Sequence, residues 1–247
     1  MAGSETLIRI RPLSALAEFS EALNLQQSIW GLADLDLLPL RFFVVASNIG
    51  GQVFGAFDGD RMIGFCLAIP GIDKQGRPYL HSHMLGVAAE YRNAGVGRWL
   101  KLEQRADALA RGIELIDWTF DPLEIKNAFF NIGRLGAIVR HYSENHYGSV
   151  SSSLMGSLPT DRCVAEWWIA SPRVEAILSG APPQVCVEIR IAVPADIDRL
   201  RREEPDHARA IQRANAARFR EAFARGLAVV GFEPTESEGV YLLGPLA

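Results

Sequence analysis

The sequence predicts an α+β fold in three layers, with helices packed on a sheet that is at least partly antiparallel. Three observations carry this. "TLIRIRPL", from Thr6, alternates apolar and polar residues as a half-buried strand does, and helical spacing follows it. Asp58-Gly59-Asp60 separates two apolar runs and reads as a hairpin turn. A third strand passes through a glycine-rich turn into an apolar helix near residue 95. With 247 residues, 49% of them hydrophobic, the chain can bury a substantial core.

Taken in order, "SALAEFSEALNLQQSIW" carries Leu16, Phe19, Leu23 and Ile29 at helical spacing. After Pro39, "RFFVVASNIG" predicts a short second helix, and "GQVFGAF" and "RMIGFCLAIP" form the arms of the hairpin. "YLHSHMLGV" is the next strand. From Gly95 a helix runs through Val96, Trp99, Leu100, Ala106, Leu109 and Ala110 to a stop at Gly112. "IELIDWTF" reads as a buried strand, Asp121-Pro122 as the start of the helix "LEIKNAFFNIGRLGA", and "RCVAEWWIA" as a later strand. Ser171–Gln184 is rich in Ser, Pro and Gly and predicts a boundary between a domain of residues 1–170 and a C-terminal α/β extension of residues 171–247. The extension comprises a strand, an Ala/Arg-rich helix around Ala208–Arg225 and two short strands.

Composition narrows the function. A net charge of −4 predicts neither a nucleic-acid nor an anionic-membrane partner, and directs attention to small molecules. Cys66, Cys163 and Cys186 are too scattered for a disulfide framework or a CxxC site and suit a reducing cytoplasm. No signal-peptide core and no apolar run of about 18 residues is present.

"RNAGVG", Arg92 to Gly97, lies between a strand and an apolar helix. The first N–H groups of a helix lack intrahelical acceptors, and the helix dipole adds positive character, so such a turn suits a phosphate or pyrophosphate. Leu100 stands where the dinucleotide pattern GxGxxG needs its third glycine, and no Gly-Lys-Ser/Thr of a P-loop is present. The run Leu85-Gly86-Val87 followed by Arg92-x-x-Gly95-x-Gly97 resembles the acyl-CoA signature of the GNAT superfamily of N-acyltransferases. The resemblance extends from Thr6 to Ala170, with Leu135-Gly136-Ala137 in place of the usual Leu-Gly-Phe. It implies a mixed, mainly antiparallel sheet, splayed between the strands His81–Val87 and Ile113–Phe120, with the pantetheine arm of acetyl-CoA or another acyl-CoA in the gap. The implied ligand contacts are Leu85, Val87, Arg92, Asn93, Ala94, Gly95, Val96, Gly97 and Arg98.

On a regular strand His81, His83, Leu85 and Val87 share one face. An acceptor amine of pKa ~10 is less than about 0.1% neutral near pH 7, so a neighbouring group titrating near 6.5 suits its deprotonation. The H-x-H pair is similar, in its offsets of eleven and nine residues from Arg92, to the histidine pair of the arylalkylamine N-acetyltransferases. Two other readings stand beside it. The histidines can be hydrogen-bonded strand residues that shape a pocket, or two ligands of a metal site, for which no HExxH or cysteine cluster supplies the rest.

On the next helix Asn127 and Asn131 are four residues apart and share a face. The resemblance implies an asparagine there that binds the CoA arm, although its usual position falls on Ile125. The usual acidic tyrosine falls on Ile132, and Tyr142 and Tyr147 read as packing residues. Arg209, Arg213, Arg218, Arg220 and Arg225 read as a solvated helix face. The run from "GAFDGDRMIGF" to "LGA" is similar to a bacterial GNAT subgroup encoded beside N-acylamino-acid racemases. The function expected is transfer of an acetyl or succinyl group from CoA to a small-molecule amine, an amino acid being one such acceptor, with a homodimer open as an assembly. A non-catalytic acyl-CoA binder or sensor is the alternative, and a metal enzyme using His81 and His83 the third.

Overall fold

The computed structural model describes residues 8–31, 37–148 and 158–246. Thr6 and Leu7, included in the first predicted strand, lie outside them. The chain divides into two compact units between Ile116 and Asp117.

In the first unit β1 (Arg9–Pro12), β2 (Gln52–Asp58), β3 (Arg61–Ile72) and β4 (Pro78–Val87) form consecutive antiparallel ladders. The β2–β3 turn is the predicted one: Asp58 pairs with Arg61 across Gly59-Asp60, and Gly59 takes φ 60°. Helices α1 (Leu16–Trp30) and α2 (Leu40–Asn48) cover one face, where Phe19, Ala22, Phe43 and Ala46 pack on Val53, Phe57, Met62, Phe65 and Leu67. Helix α3 (Val96–Ala110) covers the other, with Val96 and Leu100 on Phe54, Ala56, Ile63 and Cys66. Fully burying a side chain of this size contributes roughly 1.5–3 kcal/mol, so the two apolar layers fix which face each helix takes.

Two apolar assignments change. Leu16 is 63% exposed, and the buried stripe of α1 is Phe19, Ala22 and Gln26. Trp99 is 42% exposed, because α3 turns Leu100, Lys101, Gln104 and Ala108 to the sheet instead.

In the second unit the strand order is β5 (Leu115–Phe120), β7 (Arg162–Trp168), β6 (Ile138–Ser143), β9 (Ala228–Pro234), β10 (Glu238–Gly244) and β8 (Ile189–Pro194). β6 pairs with both β7 and β9, which seats residues from beyond 171 directly beside those from before it. Ser171–Gln184, expected to be a boundary, holds helix α5 (Pro172–Leu178). Ser171 Oγ accepts from Val174 N at 3.3 Å and Pro172 opens the helix, so the composition read as a linker is N-cap chemistry. The residues on both sides of position 171 lie in the second compact unit.

Asp121-Pro122 forms a turn, and helix α4 (Ile125–Ala128) begins after it, continuing as wider π turns over Phe129–Arg134. Leu135 N donates to Phe130 O, five residues back. Gly133 permits this, since a Cβ there would lie 2.9 Å from the Phe129 ring. Two further helices, α6 (Ile197–Glu203) and α7 (Pro205–Ala224), follow β8. Phe219 of α7 stacks on Tyr142 and meets Tyr241 edge-on. On α6, Arg201 is 9% exposed and donates to Asp121 Oδ2 and Glu124 Oε1, each at 2.6 Å, which ties the β5–α4 turn to α6.

Replacing Arg201 with Met strands two carboxylates. Breaking a fully buried pair costs roughly 3–5 kcal/mol, and roughly 2–3 kcal/mol is expected here because Glu124 keeps contact with water. Urea denaturation of Arg201→Met against the parent protein measures it.

Candidate active site

β4 does not alternate regularly. Ala68 pairs with Ser82 and Leu67 pairs with Met84, so His83 is an extra residue, a β-bulge that reverses the alternation beyond it. Before the bulge His81 pairs with Ile69, whose side chain packs in the α1–α2 layer. The rings of His81 and His83 lie 6.0 Å apart, and the ring of Phe42, from α2, lies 5.9 Å from that of His83. Met84 packs in the same layer. Leu85 and Val87 join the α3 layer. The expectation that all four alternate residues share a face is thus half correct: the histidines stay together, and Leu85 and Val87 point to the opposite side. Burial pushes the His83 imidazole below its ordinary value of 6.5, and the charge of His81 pushes in the same direction.

The displaced pair has its own task. A Cβ on Gly97 would meet Leu85 Cδ2 at 3.4 Å and Val87 Cγ2 at 3.9 Å, so the first turn of α3 rests on these two side chains. Ahead of it the chain makes a 3-10 turn over Ala89–Tyr91, and Arg92, Asn93, Ala94 and Gly95 form an exposed loop. Asn93 takes φ 65° and Gly95 takes φ 86°. Gly95 is the N-cap of α3 and no side chain caps the helix there. The first intrahelical bond is Trp99 N to Gly95 O, at 3.0 Å, so the N–H groups of Val96 and Gly97 precede the first helical acceptor. No acidic residue occupies this first turn. Arg92 Nε donates to Val87 O at 3.4 Å. The loop is fastened to the β2–β3 hairpin, since Tyr91 Oη donates to Asp58 Oδ2 at 2.6 Å and Arg61 pairs with Glu90.

In the second unit Asn131 Nδ2 donates to Asn127 Oδ1 at 3.2 Å, with Asn131 buried and Asn127 exposed. Ile132 is fully buried. Tyr142 Oη donates to Asp161 Oδ2 at 2.6 Å, and burial raises its phenol well above the ordinary value, so its proton is committed. The Tyr147 hydroxyl lies 2.7 Å from Thr119 Oγ1, and Arg162 stacks on its ring. Arg213, Arg218, Arg220 and Arg225 are exposed, the last two in ion pairs with Glu144 and Glu188. Among the described residues no group of three His, Cys, Asp or Glu side chains could hold a metal ion, and no helix is long and apolar enough to cross a membrane. Sequence reasoning missed Phe42, which no periodicity links to β4, and the buried polar residues Ser82, Lys101 and Gln104.

The fold is that of the GNAT acetyltransferases. The sequence profile of the Acetyltransferase (GNAT) family matches residues 18–133. A putative GNAT acetyltransferase from Desulfovibrio desulfuricans has 13% identity and a TM-score of 0.54, the match covering 66% of this chain and 100% of that one. The ribosomal-protein-S18-alanine N-acetyltransferase of Escherichia coli has 14% identity and a TM-score of 0.53 over 67% of this chain and 96% of that one. Arabidopsis thaliana Naa50, in complex with the bisubstrate analogue CoA-Ac-MVNAL, has 14% identity and a TM-score of 0.51 over 64% and 97%. No curated protein sequence matches the chain.

Two measurements test this geometry. Gly95→Ala forces a side chain into the left-handed region and should cost about 1–2 kcal/mol, whereas Gly97→Ala, in helical backbone with room for a methyl, should leave stability unchanged or raise it slightly. Denaturant titration of the two variants gives the contrast. Because folding lowers the His83 pKa, the unfolded chain holds more protons between the folded value and 6.5. Stability should therefore be complete above that window and fall as the pH falls through it, a slope that His83→Gln removes.

Proposed function

We propose that the chain is an acyl-CoA-dependent N-acyltransferase that moves an acetyl or succinyl group from CoA to a small-molecule amine, the amino group of an amino acid among the candidates. One observation carries the reading. A bulged strand presents two neighbouring imidazoles, and within a few residues the same strand runs into an uncapped helix N-terminus behind a left-handed glycine.

The residues fit the nucleotide part of an acyl-CoA. Gly95, Val96, Gly97 and Arg98 offer backbone N–H groups to the pyrophosphate, with Asn93 and Ala94 forming the approach and Arg92 supplying charge. Leu85 and Val87 act beneath the loop, as the seat of α3. Asn127 and Asn131 are proposed to bind the CoA arm, Asn127 being the exposed member of the pair.

His81 or His83, directly or through water, takes the proton of the acceptor ammonium; the freed amine attacks the thioester carbonyl, the adduct nitrogen gives its second proton to water, and collapse of the tetrahedral adduct breaks the C–S bond to leave the amide and CoA thiolate. His83, held below its ordinary value, is the more fully neutral of an ordinary imidazole and itself near pH 7, and so can accept that proton. A backbone N–H of β4 near Leu85 is proposed to stabilise the oxyanion. With Tyr142 bound to Asp161 and Ile132 apolar, no side chain is assigned to protonate the thiolate, a fair leaving group on its own.

Changing both histidines to Gln should lower kcat by a factor of ~10²–10⁴, the usual span of general base catalysis, while the acetyl-CoA affinity stays within about twofold. Equal turnover in the double variant would remove the histidines from the mechanism. Acetyl-CoA binding without turnover on any amine would favour a sensor.

A further inference from the structure

The bulge at His83 has a buried polar counterpart on the opposite face of β4. Ser82 is 5% exposed and points to α3, where Lys101 Nζ donates to its Oγ at 2.7 Å and its Oγ donates to Gln104 Oε1 at 3.1 Å. Lys101 is 3% exposed and Gln104 fully buried. The chain of bonds continues to β2: Gln52 Nε2 donates to the Gln104 carbonyl and to Asp107 Oδ2, both at 2.8 Å. A buried lysine and two buried amides are unfavourable unless their bonds serve a purpose that apolar packing would not. These bonds meet β4 at the last residue before the alternation breaks.

Register supplies the purpose. With Ser82 held to α3, the residue after it must face the α1–α2 layer, and the next in-register side chain would face α3 again. The extra residue instead lets His83 and Met84 both face α1–α2 and hands Leu85 to the α3 side. Without a fixed Ser82, slipping β4 by one residue would eliminate the bulge and exchange the faces of the side chains beyond it.

We propose that Lys101 and Gln104, through Ser82, are positioning residues for His83: the lock pins β4 on the α3 side so that the bulge falls at His83 and holds its ring on Phe42 beside His81. The proposal rests on the histidine reading only for its effect on turnover, not for its effect on the ring.

The variants are Ser82→Ala, Lys101→Met and the conservative Ser82→Thr. The imidazole of His83 is followed by NMR in histidine-labelled protein, assigned with His83→Gln, alongside acetyl-CoA affinity and amine-dependent turnover. In Ser82→Ala and Lys101→Met the titration of His83 should rise toward the ordinary imidazole value as the ring leaves Phe42. Turnover should fall at least about tenfold, with KM for acetyl-CoA within about twofold, and Ser82→Thr should restore both. An unchanged His83 titration in Ser82→Ala overturns the proposal, whatever happens to turnover and even if Lys101→Met fails to fold. A shifted titration with unchanged turnover upholds the lock and removes His83 from the chemistry, which separates the two failures.

Discussion

The first unit is organised by one extra residue. At His83 β4 departs from a two-residue period, and that single irregularity lets one strand serve two layers with different requirements. On the α1–α2 side it presents the His83 ring against Phe42 with the His81 ring beside it; on the α3 side it presents Leu85 and Val87 as the floor beneath Gly97. A regular strand would have placed both histidines and both floor residues on the same face, and the first turn of α3 would have lost its seat. The proposed proton acceptor and the proposed anion site thereby lie along one short strand.

The loop ahead of α3 shows the same economy. Its backbone is set by two residues in the left-handed region, Asn93 and Gly95, and its N–H groups stay uncapped because the N-cap is a glycine with no side chain to offer. A serine or aspartate at position 95 would stabilise the helix by itself and occupy the donors that the proposed function assigns to a pyrophosphate. Order is supplied from outside the turn, through Tyr91 on Asp58 and Arg61 on Glu90, so the loop is held in place without a side chain on its N–H groups.

Where the sequence was legible, local chemistry decided the outcome. The Asp58-Gly59-Asp60 hairpin, the start of α3 at Gly95 and its end near Gly112 follow from turn and capping preferences that act over a few residues. What stayed hidden depends on partners distant in sequence. A bulge leaves no mark in an H-x-H run, because it is set by a register with β3 that only the folded pairing defines. Lys101 and Gln104 look like the polar face of α3 until Ser82 and Gln52 are seen to meet them. Ser171-Pro172 has the composition of a linker and the geometry of a helix start. The π turns after Ala128 rest on Gly133 making way for the Phe129 ring, a spacing that helical periodicity does not distinguish.

The central claim is that this strand and helix start bind an acyl-CoA and pass its acyl group to an amine. The most direct test is thiol release from acetyl-CoA and succinyl-CoA with a panel of D- and L-amino acids, simple amines and aminoglycosides, with CoA binding followed by calorimetry on the same protein. The account predicts stoichiometric CoA binding, and thiol release that depends on both donor and amine. Absence of CoA binding would contradict it, because the uncapped turn at Gly95 would then have no anion to receive.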